Sequence, residues 1–372
     1  MAVLGLLPSI RGGLGELAKT GQHSRLIDGY LRPYARAFDE VRYFSYLDES
    51  LADFSADVEL LARVRVLPGG GWHPWLYTLV LPFRHRRALA ACDVLRVFQV
   101  TGVIPALVAR RLYGVPFVTT YGFWYGRLAR SRVSGRLSRA VAAAGLAAAG
   151  AVIATTPELG EEARRRAPGA RVHVIPNGVD TTAFRPPARA AAPGHLMYLG
   201  RLSEEKQLDS LVDAAAKLTA RHAVRVTLVG DGPVRPALEA QARAAGVALD
   251  VRPFVDHREV PAVLGEADVF VLPSRTEGHP KVLLEAMACA RPCVASAVGG
   301  NLAIVEDGVT GLLFPAGDAG ALADRLERLL RDRALGATLG ARARQAVVAR
   351  YDLGALVARE IELLRRVAGL TR

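Results

Sequence analysis

Short apolar runs alternate with amphipathic segments along most of the chain. In the segments 207–219 and 233–245 apolar residues recur at helical spacing, whereas the runs between such segments are short and rich in valine and leucine, like buried strands. The predicted strands are 3–8, 41–46, 64–67, 94–99, 117–120, 152–154, 172–175, 195–199, 225–229, 249–252, 269–272, 293–295 and 311–314. Strands that alternate with helices in this way predict an α/β fold with parallel sheets.

A domain boundary is predicted near the middle of the chain. The segment 176–194 contains several prolines and glycines and no apolar periodicity, which is typical of a linker. A length of 372 residues also suits two domains. We therefore predict an N-terminal Rossmann-like domain at 1–185 and a C-terminal one at 186–350. Because ligands bind beyond the carboxyl ends of the strands in such sheets, the two sheets are expected to face an interdomain cleft.

The composition is that of a globular protein, with 51% hydrophobic and 23% charged residues, which excludes a disordered or fibrous chain. The cysteines, Cys92, Cys289 and Cys293, lack zinc-site spacing and suit a reducing compartment. No basic residue precedes the short apolar run at the start, so this run predicts a strand and not a signal peptide. The uncharged run between Arg139 and Glu158 is better explained by a buried helix and strand than by a membrane span. We therefore expect a cytoplasmic protein.

The net charge of +12 is concentrated in one stretch. Residues 84–139 contain 11 arginines and one acidic residue, Asp93. Such a stretch favours an anionic membrane surface, which would be the inner face of the plasma membrane. The alternative is a solvated basic surface, since arginine is abundant throughout, and no motif indicates a nucleic-acid partner. Trp72, Trp75 and Trp124 are expected to lie in the core, with an acceptor-binding platform as the alternative.

The strongest chemical pattern follows the predicted strand that ends at 272. A polar loop carries Glu277 and Gly278, and Pro280 suits the first position of a helix. The free N–H groups and positive end of a helix bind anions, and Lys281 adds a full charge. Glu285 lies one turn later on the same face, where a carboxylate can accept hydrogen bonds from a ribose diol. The alternative is a surface salt bridge between Lys281 and Glu285.

Two further loops follow predicted strands. Gly200 ends one strand, and Arg201 and Lys206 project from the loop behind it, where guanidinium and ammonium groups can bind phosphate. The alternative is a pair of solvated loop cations. Gly12 and Gly13 form a glycine loop after the first strand, which is neither a P-loop nor a GxGxxG fingerprint but could contact a diphosphate at the sheet edge.

Together these features resemble the retaining glycosyltransferases of family 4, the glycosyltransferase group 1 proteins, which have the GT-B fold. The segments that carry the resemblance are IPNGVD (175–180), LGRLSEEK (199–206), VLPSRTEG (271–278), LLEAMA (283–288) and GLLFPAGD (311–318). Glu277 and Glu285 also match the Glu-x7-Glu pair of that family. The resemblance covers nearly the full chain, and the combination is highly specific.

The resemblance implies metal-independent, retaining transfer of a hexosyl group from a UDP- or GDP-sugar to a lipid-linked, polysaccharide or other glycan acceptor, without a cofactor. Arg201 and Lys206 would stabilise the diphosphate leaving group, and Glu277 would contact the donor sugar near the reacting centre. Residues 251–255 would flank the base, and Glu285 would bind the ribose. The donor-binding set is Gly12, Gly13, Gly200, Phe254, Gly278, His279, Pro280, Lys281 and Glu285. The segment 351–372 would be a helix that packs back on the N-terminal domain.

The chain departs from the family pattern at two places. Where many relatives carry a histidine that touches the donor sugar, this chain has Tyr121. Either Tyr121 replaces the histidine or the backbone makes the contact. After Gly299 and Gly300, a glutamate that relatives often carry is missing. Another GT-B enzyme, such as a sugar-nucleotide epimerase or a phosphorylase, and a non-catalytic sugar-nucleotide binder remain as alternative functions.

Overall fold

The computed structural model of the protein describes residues 1–122, 132–189 and 191–370. They form two compact units, one of Met1–Pro176 with Gly354–Arg372 and the other of Asn177–Leu353. Each unit contains one parallel sheet, with seven strands in the first and six in the second. The predicted α/β class with two Rossmann-like domains is therefore confirmed.

The first unit has the strand order β3-β2-β1-β4-β5-β6-β7. Its strands are β1 (Val3–Leu7), β2 (Glu40–Phe44), β3 (Val64–Leu67), β4 (Val94–Val97), β5 (Phe117–Tyr121), β6 (Ala151–Ala154) and β7 (Val172–Val174). Its helices are α1 (Leu14–Ala18), α2 (His23–Leu26), α3 (Arg32–Ala37), α4 (Val58–Arg63), α5 (Pro74–Arg84), α6 (Arg86–Ala90), α7 (Ile104–Tyr113), α8 (Arg132–Ala148) and α9 (Pro157–Arg166). The strand order reverses between β1 and β4, so the loops that follow these two strands lie side by side.

The second unit has the strand order β10-β9-β8-β11-β12-β13. Its strands are β8 (His195–Leu199), β9 (Arg225–Val229), β10 (Ala248–Arg252), β11 (Val269–Leu272), β12 (Cys293–Ser296) and β13 (Leu312–Phe314). Its helices are α10 (Leu208–Thr219), α11 (Arg235–Ala244), α12 (Val260–Gly265), α13 (Lys281–Ala288), α14 (Gly299–Ile304), α15 (Ala319–Arg331) and α16 (Arg333–Arg350). Here the order reverses between β8 and β11.

Burial explains why the apolar runs become strands. All residues of β11 and β12 are buried, because helices cover both faces of a parallel sheet. The α10 helix shows the matching periodicity, since Leu208, Leu211 and Leu218 join the core while Asp209 and Lys217 are exposed. None of the described helices combines the length and hydropathy needed to cross a bilayer.

The structure divides the chain after Pro176, whereas the sequence analysis placed the boundary after residue 185. The segment between these positions packs within the second unit. Val179 forms a parallel bridge with Asp352, and Phe184 is buried in the second core. The prolines and glycines of this segment predicted a linker, but its tertiary contacts fix it to the second unit.

The last helix, α17 (Leu353–Val367), packs on the first unit. Arg96 Nε donates a hydrogen bond to Glu360 Oε1 at 2.5 Å, and the Tyr34 hydroxyl donates to the same oxygen. A Cβ on Gly150 would lie 2.6 Å from a Val367 methyl carbon. The end of the chain is therefore held by a buried ion pair and by close apolar packing.

Candidate functional site

The loops that follow β8 and β11 carry most of the predicted phosphate-binding residues. These two strands are hydrogen-bonded neighbours where the strand order reverses, and loops at such a point form the usual ligand site of an open α/β sheet. Arg275 N donates to Glu205 O at 2.8 Å, so the two loops are joined directly. The structure therefore brings these predicted residues to one sheet edge.

Lys206 and Glu277 form an ion pair across the two loops. Lys206 Nζ lies 2.6 Å from Glu277 Oε1, and Ser274 Oγ donates to the same oxygen at 2.7 Å. Because Glu277 is only 8% exposed, these two donors stabilise its charge in place of water. The side chain of Lys206 is more exposed than that of Glu277, at 21% against 9%.

The segment from Gly278 to Lys281 leads into α13. Pro280 is the N-cap and Lys281 the first helical residue, one position later than predicted. Proline has no side-chain group that can cap a helix, and Pro280 forms no side-chain cap hydrogen bond here. The start of a helix is a position where backbone N–H groups can bind an anion. Gly300 supports the loop, because a Cβ there would lie 2.1 Å from Gly278 O. Only glycine allows this close approach.

His279 is buried in the middle of this segment. Burial, with a smaller effect of the Lys281 cation, lowers the pKa of its imidazole to about 4. Its ring packs on Tyr351 with 5.4 Å between centroids, and its carbonyl oxygen accepts from Asn177 Nδ2 at 2.7 Å. His279 is therefore neutral near pH 7 and adds no positive charge to the site.

Glu285 lies one helical turn into α13 and is 3% exposed. His257 Nε2 donates to Glu285 Oε1 at 3.0 Å. The imidazole of His257 in turn packs on Phe184, with 5.1 Å between ring centroids. The carboxylate of Glu285 is thus oriented by a histidine that follows the predicted base-flanking residues.

Gly200 and Gly230 meet at the ends of β8 and β9. Their φ angles are 150° and 144°. A Cβ on Gly230 would lie 1.9 Å from Gly200 O and 3.2 Å from the ring of Phe254. A side chain at residue 230 would therefore collide with the loop. Phe254 lies beside this glycine pair, at the same sheet edge as Lys206.

Arg201 is exposed at the start of the loop after β8. The Tyr198 hydroxyl donates to Arg201 O at 2.9 Å and holds the backbone there. Within the described ranges no carboxylate pairs with the Arg201 guanidinium. It is therefore available to an anion from solvent.

The glycine loop of the first unit, Gly12 and Gly13, leads into a helix whose first amides already bind the carboxylate of Glu49. Gly13 is the N-cap of α1, and Glu49 accepts hydrogen bonds from Leu14 N at 2.8 Å and from Gly15 N at 2.7 Å. A diphosphate that approached this helix end through Gly12 and Gly13 would meet a carboxylate of the chain itself. Donor binding by these two glycines stays a prediction.

Tyr121 ends β5 in the first unit and is 1% exposed. Its ring packs in a core cluster with Val100 and Leu146, and burial raises the pKa of its hydroxyl. The predicted contact of Tyr121 with the donor sugar also stays a prediction. The segment 123–131, part of the basic stretch, lies outside the described residues.

Sequence reasoning did not single out Asn177, Ser274, His257 and Glu49. Asn177 lies within the segment IPNGVD, so its motif was the available signal. Ser274 likewise lies within the segment VLPSRTEG, three residues before its partner Glu277. No quoted motif contains His257 or Glu49, and each of them acts on a group that is distant in the chain.

Two family models match the chain. The model described as Glycosyltransferase Family 4 matches residues 24–183, and the one described as Glycosyl transferases group 1 matches residues 193–332. The alpha-D-kanosaminyltransferase of Streptomyces kanamyceticus is 34% identical over 223 residues, which are 56% of this chain and 58% of that protein. The alpha-maltose-1-phosphate synthase of Mycolicibacterium smegmatis is 30% identical over 298 residues, which are 70% of this chain and 76% of that protein. The match thus spans less than two thirds of the length of the kanosaminyltransferase.

Two solved structures share the fold. Sucrose-phosphate synthase from Thermosynechococcus elongatus superposes with a TM-score of 0.84 at 24% identity and covers 100% of both chains. HepE from Anabaena, in complex with UDP-glucose, has a TM-score of 0.78 at 21% identity, with 98% of this chain and 100% of that chain covered. At such identities the likeness shows the fold alone.

Proposed function

The chain belongs to glycosyltransferase family 4, the group 1 glycosyl transferases with the GT-B fold, and from this premise we propose that it transfers a sugar from a nucleotide-diphosphate donor to a hydroxyl acceptor with retention of anomeric configuration. The observation that carries the proposal is the ion pair of Lys206 with Glu277 in the loops that lead to the start of α13. Two cations and a helix end at one sheet edge suit a diphosphate.

The phosphates and ribose of the donor are bound by neighbouring groups under this proposal. The diphosphate contacts the side chains of Arg201 and Lys206 and the backbone of residues 278–281. The ribose hydroxyls donate to Glu285, whose carboxylate is oriented by His257 at 3.0 Å. Because Glu285 lies one turn beyond the helix end, it can reach a sugar ring attached to the bound phosphates.

The base of the donor is placed against Phe254, beside the contact of Gly200 with Gly230. Aromatic rings bind nucleobases by stacking, which tolerates more than one base. HepE shares this fold and was solved with UDP-glucose. Uridine is therefore the first base to test, with guanosine next.

The leaving diphosphate gains negative charge as its bond to the anomeric carbon breaks. Lys206 and Arg201 stabilise that charge. The Lys206 ammonium group lies at the site before the donor arrives, because Glu277 accepts its hydrogen bond at 2.6 Å. When Lys206 turns to the phosphate, Glu277 keeps its hydrogen bond from Ser274. The Glu277 carboxylate is then free to accept from a hydroxyl of the donor sugar.

We also propose a glycan or lipid-linked glycan as the acceptor and the cytoplasm as the location. Cys92, Cys289 and Cys293 are buried free thiols, which fits a reducing compartment. No nucleic acid takes part in the proposed reaction.

The transfer reaction is tested by NMR on UDP-glucose labelled at the anomeric carbon, with a panel of soluble glycans and with EDTA present. We expect an α-glycoside at a rate that EDTA does not change, because side-chain cations and helix amides stabilise the diphosphate. A β-glycoside would contradict retention, and a loss of rate in EDTA would contradict metal independence. An epimerised donor would identify an epimerase instead, and a sugar phosphate formed from a glycan when inorganic phosphate is added would identify a phosphorylase.

Glu285→Ala is expected to abolish the thermal stabilisation by the donor, since it removes the ribose contact. A ligand at 100 times its Kd stabilises the folded state by about 2.7 kcal/mol. The shift in Tm is measured by scanning fluorimetry with UDP-, GDP- and ADP-glucose, each variant relative to its own ligand-free Tm. Glu306→Ala removes an exposed carboxylate from the same unit and should keep the full shift. Equal shifts in Glu285→Ala and wild type would exclude Glu285 from the donor site.

A further inference from the structure

The outer face of α5 is apolar and exposed. The exposed apolar side chains on and just before this helix are Trp72, Trp75, Leu76, Leu79 and Phe83. Trp75 and Phe83 are each 59% exposed. Trp75, Leu79 and Phe83 recur at every fourth position, so they form a stripe along one side of the helix. A contiguous apolar stripe of this kind marks an interaction surface, whereas scattered exposed residues do not.

The prediction that Trp72 and Trp75 lie in the core is wrong. The opposite face of α5 packs in the core instead, where Tyr77 and Leu81 are fully buried. Tyr46 packs edge-on against Tyr77, with 5.2 Å between ring centroids. A helix that is apolar on two faces can bury only one of them against its own domain.

A basic groove of about 540 Å³ opens where α5 ends. Phe83, the last member of the stripe, also lines the groove. The groove presents the guanidinium groups of Arg65, Arg84, Arg86 and Arg87. None of these four forms a salt bridge with a residue that the structure describes. Arg42 lines the groove too, but both oxygens of Glu40 accept hydrogen bonds from it.

The stripe and the groove therefore form one continuous surface, here called the α5 surface. It combines large apolar side chains with unpaired arginines. Tryptophan, phenylalanine and leucine favour the boundary between headgroups and acyl chains, and arginine reaches headgroup phosphates from there. We propose that the α5 surface attaches the protein to a membrane that contains anionic phospholipids.

Two other occupants fit this surface less well. Nucleic acid would be attracted by the arginines but would leave the aliphatic side chains of Leu76 and Leu79 in water. A second copy of the chain, docked on the same face by two-fold symmetry, would bring two sets of unpaired arginines close together. Only an anionic lipid surface matches both the charge and the apolar stripe.

Vesicle sedimentation tests this proposal with the full chain. We expect binding to vesicles of equimolar phosphatidylcholine and phosphatidylglycerol. Binding to phosphatidylcholine alone should be weaker by more than about 25-fold, because all four arginines then lack anionic headgroups. The double variant Arg86→Gln, Arg87→Gln should bind the anionic vesicles about 25-fold more weakly, since each arginine contributes about fivefold. Leu79→Ser with Phe83→Ser should weaken binding about tenfold by removing apolar area from the interface.

Matched control variants distinguish an effect of the α5 surface on vesicle binding from an effect of the total charge or hydrophobicity of the protein. Arg328→Gln with Arg331→Gln removes two exposed arginines from the second unit and should bind vesicles like wild type. Val348→Ser removes an exposed apolar side chain there and should also bind normally. All seven residues that these vesicle-binding and control variants replace are exposed, and retained folding is verified by circular dichroism.

Tryptophan fluorescence gives a second readout. The chain has three tryptophans, and the emission of Trp72 and Trp75 should shift to shorter wavelength when anionic vesicles are added. Trp72→Phe with Trp75→Phe should lose this shift and leave only the signal of Trp124. A shift that persists in this variant would place the membrane contact elsewhere and overturn the proposal.

The remaining outcomes are equally decisive. Vesicle binding that the arginine and apolar variants leave unchanged would overturn the proposal, and so would binding of a DNA duplex in place of vesicles. A dimer in solution that Leu79→Ser dissociates would identify a second copy as the occupant. Because these measurements need no donor and no turnover, their failure leaves the proposed glycosyl transfer untouched.

Discussion

Replacing Lys206 with alanine is expected to lower kcat about 100- to 1000-fold, the usual loss when one group that stabilises transition-state charge is removed. The Lys206 ammonium group lies 2.6 Å from Glu277 Oε1 at the edge of the sheet where the diphosphate is proposed to leave. Its removal takes away the positive charge that meets the departing phosphate. The rate is measured at saturating donor, so that weaker binding does not mask the effect.

Three controls interpret this result. Lys217→Ala removes an exposed lysine from α10 and should leave kcat unchanged. Lys206→Arg keeps a cation beside the buried Glu277 carboxylate and should recover part of the rate. Arg201→Ala should lose rate on the same order as Lys206→Ala while the fold survives. Normal turnover in both alanine variants would refute the assignment of the site.

Replacing Glu360 with alanine is expected to destabilise the first unit by about 3–5 kcal/mol, the usual result of breaking a buried ion pair. Glu360 is 5% exposed and accepts from Arg96 and Tyr34. Without the carboxylate, the Arg96 guanidinium stays buried with Val97 O as a remaining acceptor, at 2.7 Å from its Nη1. Urea unfolding followed by circular dichroism measures the loss as a lower midpoint of the first unit's transition.

Glu362→Ala provides the matched control, because it removes an exposed glutamate from the same helix. It should unfold at nearly the wild-type midpoint. A double variant, Arg96→Met with Glu360→Leu, should recover much of the loss, since both buried charges are then gone. If Glu360→Ala and Glu362→Ala unfold alike, the ion pair does not hold α17 in place.

In the second unit, the sequence alone predicted part of the candidate site. Arg201, Lys206 and Glu277 were recognised because each follows a predicted strand, and the strands exist. Their convergence depends on β8 and β11 being neighbours although the sequence separates Lys206 from Glu277 by 71 positions. The contact of His257 with Glu285 could not be predicted for the same reason, since 28 positions separate these two residues.

Local patterns specified the strands, most helices and the α/β class, because alternation of apolar and polar residues depends on neighbours in the chain. Tertiary structure decided three matters that no local pattern contains: the Glu49 carboxylate at the start of α1, the packing of α17 on the first unit, and the exposed face of α5. In each case several residues or faces of similar chemistry are candidates for the same contact. Which of them makes the contact is decided only when residues far apart in the chain compete for the same space, charge or hydrogen-bond partner.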